Sequence, residues 1–133
     1  MLCLDAGSLI DLWKNKNEPN HPLQGLLRKY SGEIFLVSGM AAGDLLEQAG
    51  QISEARLQEA ILFLGLFKVA PISQDTALHY ARIVTHLSQV GQKEGRTRAD
   101  LWNAATCIEN GATLVTRSSH YLNTVPGLVV IGY

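Results

Sequence analysis

Five short runs, Leu2 to Leu4, Ile34 to Val37, Val69 to Ile72, Thr113 to Val115 and Leu128 to Ile131, are largely apolar and are separated by longer segments whose apolar residues recur at helical spacing. This alternation constrains the fold more than any other feature of the chain. Short runs with no polar face suit strands buried on both sides, and such strands belong to parallel sheets joined by helices. The pattern predicts a parallel α/β sandwich, in which ligands collect beyond the carboxyl ends of the strands.

The intervening segments carry their own punctuation. Ser8 and Asp11 make a capping-box-like start for a helix through about Lys14, and Asn15 to Pro22 break it. Leu23 to Tyr30 form a second amphipathic helix with Leu23, Leu26 and Leu27 as its stripe, stopped by Ser31-Gly32. Helix resumes at about Met40 and ends at Gly50, and Ser53 caps the next one through about Leu66. Ser73 caps a long helix from Gln74 to Val90, with Leu78, Ala81, Val84 and Leu87 at helical spacing. A polar, basic loop over Gly91 to Arg98 leads into a final helix to Asn110, which Gly111 closes. No repeat or linker divides the chain, so residues 1–133 read as a single domain.

At 133 residues and 47% hydrophobic content, the chain has enough apolar side chains for a core. Its net charge of −1 excludes a protein that coats nucleic acid by bulk charge and leaves room only for a local basic patch. Cys3 and Cys107 lie in apolar stretches and read as buried free thiols, which fits a cytoplasmic protein. Met1 to Ile10 lacks a basic leader region and contains Asp5, and Ala60 to Ile72 is too short to span a bilayer, so no membrane association is expected.

Against this background the placement of three acids stands out. Asp5 ends the first apolar run, Asp44 lies near the start of the mid-chain helix, and Asp100 heads the last long helix. Carboxylates distant in sequence but gathered at one sheet edge are hard oxygen ligands suited to Mg²⁺ or Mn²⁺, ions that bridge phosphate oxygens in phosphodiester chemistry. Plainer roles stay open. Asp5 also suits a turn acceptor, Asp44 a solvated helix residue with Glu47 one turn on as the ligand instead, and Asp100, three after Thr97, a capping box. No phosphate-binding glycine loop, dinucleotide fingerprint or nucleophile elbow is present, and His79 and His86 have no third zinc ligand near them in sequence.

The residues around the acids carry a resemblance. Leu4-Asp5-Ala6-Gly7-Ser8-Leu9-Ile10 resembles the first-strand acid, polar turn and helix of the PIN domain family, in particular its VapC toxin type. Asp44-Leu45-Leu46-Glu47 resembles that family's Glu-Leu-Leu motif, with Asp in place of Glu. The most specific match is Asp100-Leu101-Trp102-Asn103-Ala104-Ala105-Thr106 followed by Asn110-Gly111-Ala112-Thr113-Leu114-Val115-Thr116-Arg117, similar to the family's acid, Ala-Ala helix and Leu-Val-Thr strand. The three blocks span nearly the whole chain in the family's order.

The resemblance implies a three-layer α/β/α sandwich with a mainly parallel central sheet. It also implies a metal-dependent ribonuclease, usually the toxin of a two-protein pair, dimeric and neutralised by a small antitoxin at the acidic cleft. On this reading Asp5, Asp44 and Asp100 hold the metal, with Glu47 as the alternative ligand, and Ser118 completes the catalytic set. Arg98, Arg117 and Thr116 contact the RNA. The chain departs from the family where a fourth acid is common beyond Thr116, having Ser118, Ser119 and His120 there, and it has Gly7 where Ser or Asn is usual. That departure motivates an alternative, a catalytically impaired PIN-like module that binds RNA or docks a partner. The apolar faces around Leu12, Trp13, Leu26 and Leu27 are the expected homodimer surface.

Overall fold

The computed structural model describes residues 1–91, 97–117 and 122–133. Its elements are β1 (Leu2–Leu4), α1 (Ala6–Lys14), α2 (Pro22–Lys29), β2 (Phe35–Ser38), α3 (Gly39–Ile52), α4 (Glu54–Leu64), β3 (Lys68–Ala70), α5 (Gln74–Gln89), α6 (Arg98–Asn110), β4 (Thr113–Thr116) and β5 (Val130–Gly132). The strands form one sheet in the order β3-β2-β1-β4-β5, every pairing parallel. Expected as mainly parallel, the sheet is parallel throughout its described strands.

Side-chain alternation along the strands sorts the core into two layers. Leu2, Leu4, Val37 and Val115 face Leu9, Leu12 and Trp13 of α1 and Leu45 and Ala49 of α3. Cys3, Leu36 and Leu114 face Ile83 and Leu87 of α5 and Leu101, Ala104 and Ala105 of α6. Helices thus cover both faces, and the sandwich has three layers. Cys3 and Cys107 are buried free thiols, and a hydrogen bond with Cys3 together with burial holds the Cys107 thiol well above the usual range.

Three local expectations are corrected. The first helix is capped by Asp5, whose carboxylate accepts from the Ser8 amide, rather than by a box between Ser8 and Asp11. α3 runs past Gly50 to Ile52, because a glycine mid-helix is tolerated where Leu57 of the next helix packs against it. β3 and β5 sit further along or back than the apolar runs suggested, at 68–70 and 130–132. Of the expected homodimer surface, Leu12 and Trp13 are only 6% and 3% exposed and belong to the chain's own core, while Leu26 and Leu27 pack against that core half-buried.

The winding of the sheet places the site. From β1 the chain moves outward through β2 to β3, then crosses back to lay β4 and β5 on the other side of β1. The reversal falls between β1 and β4, and the crevice outside their carboxyl ends is where such sheets bind ligands. Among the described residues no helix is long and apolar enough to cross a membrane.

Candidate active site

Leu4 pairs with Val37 on one side and Val115 on the other, so the next residues along, Ser38, Asp5 and Thr116, form a row at the carboxyl edge of β2, β1 and β4. All three are buried. A polar row closed off from water must find partners within the protein, and Asp5 finds them in its own helix. Its Oδ1 accepts from the Ser8 amide at 2.8 Å and lies 2.7 Å from Ser8 Oγ, which is also 2.8 Å from the Val115 carbonyl oxygen. The amide end of α1 favours negative charge, which offsets part of the cost of keeping this carboxylate 8% exposed.

Ser38 accepts the Ala41 amide as cap of α3 and donates to Asn103 Oδ1 at 2.7 Å. Asn103 is 3% exposed on α6 and stands one turn beyond Asp100, so this bond ties the start of α6 to the end of β2. Asp100 is half-buried in a capping box. Its Oδ2 accepts the Thr97 amide at 3.2 Å while its own amide donates to Thr97 Oγ1 at 3.1 Å.

Asp44 is half-buried and Glu47 exposed on α3. Desolvation first, and the negative charge of Glu47 second, raise the Asp44 pKa above the ordinary carboxylate value. Among the described residues no three Asp, Glu, His or Cys side chains stand close enough together to hold a metal ion. The structure therefore seats Asp5 and Asp100 on neighbouring elements but does not gather Asp5, Asp44 and Asp100 into a closed ligand set. His79 and His86 line a shallow pocket of about 270 Å³ with Arg82 and Pro126, without a third ligand.

The proposed RNA contacts divide as follows. Thr116 is buried at the end of β4, and Arg98 is exposed in the first turn of α6. Arg117 is exposed, with Nε 3.2 Å from Asp11 Oδ2. Ser118, the expected catalytic residue, lies outside the described residues together with Ser119 and His120.

Sequence reasoning missed Ser8, Ser38 and Asn103 as parts of this site, and Asp11 as the partner of Arg117. Ser8 was open to discovery through its Asp-x-x-Ser spacing from Asp5, and Asn103 as a polar residue among apolar neighbours on α6. The Asp11 pairing spans most of the chain and leaves no local signal.

The chain is similar to several solved structures along nearly its whole length. A chain in the crystal structure of VapBC2 from Rickettsia felis bound to a DNA fragment from their promoter is 19% identical with a TM-score of 0.81, covering 99% of this chain and 98% of that one. One in the crystal structure of DNA-bound VapBC from Salmonella typhimurium is 20% identical with a TM-score of 0.83, at the same coverage. One in the structure of VapBC-1 from nontypeable Haemophilus influenzae is 19% identical with a TM-score of 0.80, covering 98% of this chain and 96% of that one. At these identities the likeness establishes the fold. No curated protein is similar enough to count as a match. The sequence pattern described as the PIN domain matches residues 2–124, and the chain belongs to the PIN domain family.

Proposed function

We propose that the chain is a metal-dependent endoribonuclease that hydrolyses RNA phosphodiester bonds, and that it is the toxin of a type II toxin-antitoxin pair. The observation that carries the reading is the buried, doubly hydrogen-bonded Asp5 at the switch point between β1 and β4, with the Arg117 guanidinium close by. PIN domains are typically nucleases that use divalent ions. The similar structures are of VapBC complexes, and one from Klebsiella pneumoniae is of a toxin-antitoxin complex, which supports a cognate antitoxin as partner. A homodimer stays part of the proposal, with the half-buried Leu26 and Leu27 as the accessible part of its expected face.

The donor chemistry suits Mg²⁺ or Mn²⁺. Asp5, Asp44 and Asp100 offer hard carboxylate oxygens, and the crowding of Asp44 by Glu47 is a repulsion that a cation relieves. Asp100 would hold such an ion through a carboxylate that also accepts the Thr97 amide. When bound, the ion supplies Lewis-acid activation of water and neutralises charge on the scissile phosphate. Ser8 fixes the Asp5 carboxylate, and the Ser38–Asn103 bond fixes α6 and with it Asp100. Arg117 and Arg98 contact the substrate phosphates, Thr116 closes the floor of the site, and Ser118, one residue past Arg117, orients the attacking water.

The test is cleavage of a labelled single-stranded RNA by the purified protein with Mn²⁺ and with chelator. Asp5→Asn and Asp100→Asn are each expected to lower the Mn²⁺-dependent rate by at least about 100-fold, since each removes a charged metal ligand. Full activity in either variant overturns the site. Tight RNA binding without cleavage by the wild type moves the assignment to the alternative, a catalytically impaired RNA-binding or partner-docking module, which the Ser118 segment in place of a fourth acid favours.

A further inference from the structure

Gly7 and Asp11 lie one turn apart on α1 and share a face of that helix. The Arg117 side chain reaches both. A Cβ placed on Gly7 would lie 3.3 Å from Arg117 Nη2, 3.9 Å from Arg117 Nε and 3.7 Å from Asp5 Oδ1. The bare backbone of Gly7 is thus the surface over which the guanidinium approaches the buried acid. At the far end of this face Asp11 Oδ2 accepts from the Tyr133 hydroxyl at 2.7 Å and forms an ion pair with Arg117, whose Nε lies 3.2 Å away.

From this arrangement we infer that Asp11 and Tyr133 are positioning residues that hold Arg117 across Gly7, beside Asp5, so that its terminal nitrogens meet a phosphate of the RNA. This rests on the nuclease reading and assigns two residues to it. The chemistry follows from the shape of the guanidinium. Its Nε faces Asp11, and its Nη nitrogens are suited to form paired bonds with a phosphate. Arg117 is 60% exposed, so its ion pair with Asp11 adds little to stability, and its consequence is orientation of a long side chain that water would otherwise leave free. The Tyr133 phenol, its pKa raised from the ordinary value of 10.0 by burial and the bond to Asp11, is a proton donor at neutral pH. With that donor in place, Asp11 is fixed from one side while Arg117 pairs with it from the other.

The test compares wild type, Asp11→Asn, Tyr133→Phe, Arg117→Ala and the double variant Asp11→Asn with Arg117→Ala. The readouts are KM and kcat for Mn²⁺-dependent cleavage of a single-stranded RNA, and Kd for the same RNA from fluorescence anisotropy. Asp11→Asn is expected to raise KM and Kd about fivefold or more, on the scale of one charge-assisted hydrogen bond, with kcat within about twofold. Tyr133→Phe should move them the same way by about twofold or more, as for one neutral hydrogen bond. In the double variant the Asp11 change should add nothing to the Arg117→Ala loss, because Asp11 acts through Arg117. Independent, multiplying losses overturn the inference, and so does a Kd unchanged in both Asp11→Asn and Tyr133→Phe. Because Kd does not require turnover, the anisotropy arm decides this inference even if the wild type fails to cleave, whereas the nuclease reading stands or falls on the rate alone.

Discussion

The Asp44 carboxyl holds its proton more tightly than an ordinary carboxylate because burial strips water from the charged form and Glu47 repels it. A folded pKa above the unfolded one means that the native state takes up the proton more readily. This group therefore favours folding below the ordinary value of 3.8, and that contribution is lost as pH climbs through the raised folded value. Asp44→Asn removes the charge, so in chelator it should melt higher than wild type at neutral pH, and the difference should close as the pH falls toward 3.8. Thermal melts over a pH series check this. A variant less stable than wild type at every pH would mean that Asp44 makes attractive contacts outweighing its repulsion with Glu47.

At the scale of elements, the Ser38–Asn103 bond is the clamp between the end of β2 and the head of α6. Asn103→Ala leaves the buried Ser38 hydroxyl without its acceptor and should cost about 1–3 kcal/mol in denaturant unfolding. Ser38→Ala, which also removes the cap of α3, should cost at least as much, and the double variant less than the two costs combined. Strictly additive losses would show that the two side chains act independently. The difference between what was readable here and what was not follows the sequence separation of the interactions. β1 and β4 were readable because Leu2–Leu4 and Leu114–Val115 are apolar runs buried on both faces. β3 was misplaced because it is an edge strand whose Lys68 and Val69 are exposed, so hydrophobicity does not mark its ends. Asp5 and Asp100 were visible as acids at element ends, whereas Ser38–Asn103 and Asp11–Tyr133 join residues 65 and 122 positions apart, which only the winding of the sheet brings together.

For the molecule as a whole, that winding sets β1 at the centre of the sheet and gives its carboxyl end neighbours on both sides, so acids from separate elements can be drawn to one edge. Glu47 repels the Asp44 carboxylate, and a cation held at this edge would relieve that repulsion. Ion binding to the native state alone then appears as added stability that grows with ion concentration. At a Mn²⁺ concentration of about 100 times Kd the gain is about 2.7 kcal/mol. For a domain of this size that corresponds to a rise in Tm of roughly 10 °C. Asp5→Asn should melt close to the wild type in chelator, because the Asn side-chain oxygen can still accept the Ser8 amide as the helix cap, and should lose most of the Mn²⁺ response. A calorimetric melt series with and without Mn²⁺ reads both effects. Equal Mn²⁺ shifts in wild type and Asp5→Asn would place the ion away from the β1 edge and remove Asp5 from the ligand set.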